Sequence, residues 1–183
     1  MIQIQQIHHV AYRCKDALET ARFYQEMLNM ELLVCIAEDK VPSTKEPNPY
    51  MHIFLDAGNG NILAFFELTG QKPMDRDQNT PIWVQHIALQ VKDRKALLDA
   101  MAELKEKGLD VLGVTDHSII ESIYFFDPNG HRVELTTVTG TQKQMETLKH
   151  ISQEMLEEWS RTKTPPKQAA WLHQAEFSKS LTQ

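Results

Sequence analysis

Apolar and polar positions alternate along residues 7–14, a period of two that predicts a β-strand. The period then changes. Asp16 has the character of a helix N-cap, Glu19 stands three residues on as in a capping box, and Leu18, Ala21, Phe23, Tyr24 and Met27 recur at helical spacing, so residues 17–27 read as a helix. Residues 30–36, 51–56 and 62–68 read as strands, the last two joined by the Ala57-Gly58-Asn59-Gly60 turn. Residues 37–50 hold three prolines and several charges and read as a loop. The first half is therefore β-α-β-β-β. Residues 69–81, with Gly70, Pro73 and Pro81, read as a linker. The order then returns: a strand over 83–91, a helix over 93–107 with Leu97, Leu98, Met101 and Leu104 as its apolar stripe, and strands over 109–114, 118–126 and 131–138. The last two meet at Asp127-Pro128-Asn129-Gly130, a sequence suited to a tight reversal.

The repeat is visible in the residues as well as in the pattern. His8-His9-Val10-Ala11 and Lys15-Asp16 of the first half return as Gln85-His86-Ile87-Ala88 and Lys92-Asp93. Phe66-Glu67-Leu68 is echoed by Val133-Glu134-Leu135, with ten more residues between His and Glu in the first half. The fold class expected is α+β. Two tandem βαβββ modules, residues 5–69 and 82–138, make a single domain over 5–138. Residues 139–183 belong to neither repeat. Met145, Leu148, Ile151, Met155, Leu156 and Trp159 predict an amphipathic helix over 142–161, Thr164-Pro165-Pro166 ends it, and a short helix is expected over 169–177. An apolar stripe of that length must dock, on the body of the protein or across a second copy, and a homodimer is expected.

Each half offers one strand-borne His and one strand-borne Glu. His9, Glu67, His86 and Glu134 are the expected ligands of one divalent metal ion per chain. Imidazole and carboxylate suit Zn, Ni, Mn, Co or Fe, and two carboxylates balance a dication. Alternation sets Glu134 on the strand face of Arg132 and Thr136, with Val133 and Leu135 on the other. Cys14 and Cys35 are too few for a disulfide framework and are expected as free thiols. No apolar run reaches membrane length, the first six residues lack the character of a signal peptide, and a cytoplasmic protein is expected. The formal charge of −6 gives no reason to expect nucleic acid.

These residues carry a resemblance. His8-His9-Val10-Ala11, residues 23–30, Gln85-His86-Ile87-Ala88 and residues 122–135 occur in the order found in the vicinal-oxygen-chelate superfamily of glyoxalase I, methylmalonyl-CoA epimerase, fosfomycin-resistance transferases, bleomycin-resistance proteins and type I extradiol dioxygenases. The resemblance implies paired modules forming a U-shaped metal-binding cleft, with His9, Glu67, His86 and Glu134 where glyoxalase I and the epimerase keep their ligands. It implies a small-molecule substrate that chelates through adjacent oxygens. The activity expected is glyoxalase- or epimerase-like proton transfer through an enediolate, an isomerase or lyase, with Glu67 or Glu134 as the proton shuttle. Tyr124 stands where extradiol dioxygenases and fosfomycin transferases carry a functional Tyr, and His117 is a second acid–base candidate. The alternatives are a one-domain Fe(II) ring-cleaving dioxygenase using His9, His86 and Glu134, and a metal-free binding protein of the bleomycin-resistance kind. His52 and His131 are expected to be structural or solvated.

Overall fold

The computed structural model describes residues 2–72, 74–168 and 170–173. In chain order the elements are β1 (His9–Cys14), α1 (Ala17–Leu28), β2 (Leu32–Lys40), β3 (Pro47–Asp56), β4 (Ile62–Leu68), β5 (His86–Gln90), α2 (Arg94–Glu106), β6 (Leu112–Asp116), β7 (Ile120–Phe126), β8 (Arg132–Val138), α3 (Gln142–Thr162) and a 3₁₀ turn (Ala170–His173). The βαβββ order occurs twice and a helix follows it, as the pattern predicts. The two four-stranded sheets share one topology, β1-β4-β3-β2 and β5-β8-β7-β6. In the first, β1 and β4 run parallel while β2, β3 and β4 form an antiparallel meander. No helix of the described residues is long and apolar enough to cross a membrane.

Local chemistry explains the helix ends. The Asp16 carboxylate accepts the Glu19 N–H at the start of α1, and Asn29 closes its end in the left-handed conformation. At α3, Thr141 and Gln144 form a capping box, and Lys163 is the left-handed cap.

Several boundaries differ from the sequence reading. Most of the loop expected over 37–50 is strand: Ala37 pairs with Met51, Glu38 with Tyr50 and Lys40 with Pro47. Because β2 is an edge strand, it carries its charges into solvent, and Pro47 opens β3, where a missing N–H costs little. The tip is closed by Val41 and Glu46. In the second half, β5 begins at His86 because residues 81–84 form a turn, with Val84 N–H on the Pro81 carbonyl. Likewise β6 begins at Leu112, since Leu109 N–H still bonds the Leu104 carbonyl at the end of α2. The helix expected over 169–177 is a 3₁₀ turn at Ala170–His173, and the rest of that expectation lies outside the described residues.

The chain divides into two compact units, Met1–Leu89 with Leu104–Asp110 and Phe125–Val133, and Gln90–Glu103 with Val111–Tyr124 and Glu134–Gln183. The first unit buries Tyr24, Leu55, Leu63, Phe65 and Phe125. Tyr24 and Phe65 hold their ring centroids 5.1 Å apart. The β7–β8 turn completes this core with polar groups that are fully partnered. Asp127 accepts the Asn129 and His131 N–H groups on one oxygen, and the Tyr24 hydroxyl and Asn129 amide on the other. Asn129 accepts the Lys15 N–H and donates to Thr20, while the His131 ring meets the Arg13 carbonyl at 2.7 Å. His131 is thus structural. In the second unit, Leu97, Ile123 and Leu135 are buried.

Candidate functional site

His9 opens β1 and His86 opens β5, and both imidazoles are exposed. Small neighbours follow each at the second position, Ala11 and Ala88, so the strand face around each ring is open. The His9 ring meets His8 at 2.8 Å and lies edge-on to His52 and Phe54. His52, 8% exposed, stacks on Phe66 with centroids 3.6 Å apart, so it is an aromatic member of this sheet face.

Glu67 lies on the other face. In the parallel register His9 pairs with Ile62 and Cys14 with Glu67. Side chains alternate, so His9, Ala11, Ala64 and Phe66 share one face while Cys14, Phe65 and Glu67 share the opposite one, beneath α1. There the Glu67 carboxylate accepts the Ala17 N–H at 2.7 Å. A carboxylate at the first free N–H of a helix is favoured by both the hydrogen bond and the helix dipole. Among the described residues no group of three or more His, Cys, Asp or Glu side chains stands ready to hold a metal ion. The register sets Glu67 on the face away from His9.

Glu134 lies in the second unit on β8 and is 3% exposed, an expensive place for a carboxylate without polar company. Ser122 supplies some: its hydroxyl donates to Glu134 and lies 3.0 Å from the Thr136 hydroxyl. Val133 and Leu135 are buried on the opposite side of the strand, as the alternation predicts. Tyr124 follows Ser122 by two residues and shares its face. Its hydroxyl meets the exposed His117 ring at 2.8 Å. The face of β7 and β8 thus carries a carboxylate, two hydroxyls and a Tyr–His pair where an ordinary core would be apolar. Gly113 lets β6 approach this site: at φ +118°, a Cβ there would lie 2.7 Å from the Ser122 carbonyl oxygen. Ser122 was not legible as a site residue in the sequence. Its only signal is a small polar residue at a strand position that alternation pairs with Tyr124.

The cysteines are both free. Cys14 is buried beside Thr20, and burial pushes its thiol up to about 11. Cys35 is exposed on β2. At pH 8, iodoacetamide is expected to label Cys35 alone in the folded protein, with Cys14 reacting only after denaturation. Peptide mass mapping checks this, and labelling of Cys14 in the native state would contradict the packing of β1 beneath α1.

A sequence model of the Glyoxalase/Bleomycin resistance protein/Dioxygenase superfamily matches residues 6–135. The chain is 25% identical over 140 residues to the metallothiol transferase FosB of Staphylococcus epidermidis, covering 75% of this chain and 85% of that protein. It is also 25% identical over 85 residues to the putative ring-cleaving dioxygenase MhqA of Bacillus subtilis, covering 46% of this chain and about a quarter, 27%, of that protein. The crystal structure of a glyoxalase family protein from Enterococcus faecalis superposes with a TM-score of 0.54 at 26% identity, over 72% of this chain and 97% of that one.

Proposed function

Because the chain belongs to the Glyoxalase/Bleomycin resistance protein/Dioxygenase superfamily, we propose that it is a divalent-metal-dependent enzyme acting on a small substrate that chelates through two adjacent oxygens. The observation that carries this reading is the buried polar face of β7 and β8, with Glu134 held by Ser122 and Tyr124 paired to His117. We assign the ligands as His9, His86 and Glu134. Two imidazoles and one carboxylate suit Fe, Mn, Co, Ni or Zn and leave positions open to a bidentate substrate. A metal bound there would act as a Lewis acid toward the substrate oxygens. Glu67 is left out of the set, because its carboxylate is committed to the α1 N-terminus.

The proton then falls to the Tyr124–His117 pair. Glyoxalase-type chemistry through two carboxylates has lost one of them to the helix. A phenol hydrogen-bonded to an imidazole at 2.8 Å can hold a proton at a substrate oxygen and return it to solvent through the exposed ring. The reaction class favoured is proton transfer or addition at a carbon beside the chelated oxygens. The relative named as a metallothiol transferase, matched along most of its length, supports the second. A homodimer in the cytoplasm completes the reading. Support comes from edge strand β2, which leaves Leu33, Val34 and Ile36 exposed, and from the free thiols, which suit a reducing compartment.

Tyr124→Phe is expected to lower turnover on the order of 10²–10⁴-fold, with metal content and melting temperature unchanged. Turnover is read with the substrate found by screening epoxides with thiols, 2-oxoaldehydes with thiols, and catechols. Full activity of the Phe variant would remove Tyr124 from the chemistry and the reading with it.

A further inference from the structure

β1 begins at His9, so His8 stands just outside the strand and escapes the alternation that sends neighbouring side chains to opposite faces. Its ring turns back onto His9. The two Nδ1 atoms lie 2.8 Å apart, with ring centroids 5.1 Å apart and ring planes at 79°. A neutral imidazole carries one proton, so in this bond one Nδ1 donates and the other accepts.

The rest of the His9 ring is framed by its sheet. His52 and Phe54 meet it edge-on, with centroids 6.4 and 5.9 Å away. His52 is itself fixed, buried and stacked on Phe66. His9 is exposed to solvent, yet its Nδ1 is engaged by His8, and Nε2 is the nitrogen left for an ion.

That division decides the tautomer. An ion needs the Nε2 lone pair, so the His9 proton must sit on Nδ1, and a Nδ1–H needs an acceptor. The Nδ1 of His8 is the acceptor in place. The second module carries a side chain that can accept at the matching position, Gln85 ahead of His86.

We propose that His8 is a positioning residue for the metal site: it accepts the His9 Nδ1–H and so holds His9 in the tautomer that presents Nε2. The proposal rests on the assignment of His9 as a ligand. His8 acts through His9 and itself touches neither ion nor substrate.

Two readouts test it in full-length protein, one of them without metal. Long-range proton–nitrogen NMR spectra of histidine-labelled, metal-free protein at pH 8 should show His9 protonated at Nδ1 in the wild type and as a mixture of tautomers in His8→Leu. Zinc affinity, read by competition with a chromogenic chelator, should fall roughly 10- to 100-fold in His8→Leu and stay within about threefold of wild type in His8→Gln, which restores an acceptor. His8 is exposed, so neither substitution should move the melting temperature. A wild-type protein that binds no zinc, or a His9→Gln variant that binds it as well as wild type, would overturn the assignment of His9 and this proposal with it. Wild-type affinity in His8→Leu where His9→Gln has lost it, or a wild-type His9 protonated at Nε2, would overturn the role of His8 alone. Equal losses in His8→Leu and His8→Gln would make His8 a ligand rather than a positioning residue, and would overturn it too.

Discussion

Asp127→Ala is expected to destabilise the protein by about 3 kcal/mol, the largest loss from any single polar side chain in the first unit. One carboxylate, 5% exposed, accepts four hydrogen bonds there. Alanine would leave the Tyr24 hydroxyl without its acceptor in a core where Tyr24 is fully buried. Burial first, and then Asp127, holds that hydroxyl protonated well above the ordinary tyrosine range, so it remains a donor through neutral and alkaline pH. The same carboxylate orients Asn129, which fixes Lys15 and Thr20 at the start of α1. A loss of this size lowers the melting temperature by roughly 6–12 °C in a chain of this length. Tyr24→Phe removes the donor and should cost only about 1 kcal/mol. Differential scanning calorimetry of both variants checks the pair. An Asp127→Ala protein as stable as Tyr24→Phe would mean that the turn is not held through this carboxylate.

Glu134→Ala is expected to abolish metal binding while the β7–β8 hairpin survives. Its neighbour gives a graded version of the same effect. Ser122 donates to Glu134 and is itself set by Thr136. Removing such an orienting hydroxyl typically weakens metal binding 10- to 100-fold. Ser122→Ala should therefore bind metal in that weakened range with a normal fold, as read by competition with a chromogenic chelator. Unchanged affinity would detach Ser122 and Glu134 from the metal.

The two-module architecture was legible in the chain because each half punctuates itself. Asp16 caps α1, the 57–60 and 127–130 turns close hairpins, and hydrophobic spacing switches between periods of two and three to four. The long β2–β3 hairpin was hidden because an edge strand needs charged side chains, and charges with prolines look like loop. The fate of Glu67 was hidden for a different reason. Matching Phe66-Glu67-Leu68 to Val133-Glu134-Leu135 equates two positions in sequence, but strand register decides the face. His9 pairs with Ile62, an odd number of residues before Glu67, and one step of parity exchanges the two faces of a sheet. No local pattern reports that parity. The pairs His117–Tyr124 and Ser122–Glu134 were partly visible: the family resemblance pointed to Tyr124, His117 was a candidate beside it, and the His/Glu repeat pointed to Glu134, whereas Ser122 emerged only from the fold.

The division between Glu67 and Glu134 is the centre of this account, and metal stoichiometry tests it most directly. Wild-type protein, Glu67→Gln and Glu134→Ala are to be purified without chelator, reconstituted with Mn, Fe, Co, Ni or Zn, desalted and analysed by inductively coupled plasma mass spectrometry. About one equivalent per chain is expected for wild type and for Glu67→Gln, the latter with a lower melting temperature from the weakened α1 N-terminus, and almost none for Glu134→Ala. Loss of metal from a folded Glu67→Gln protein, or full retention by Glu134→Ala, would contradict it.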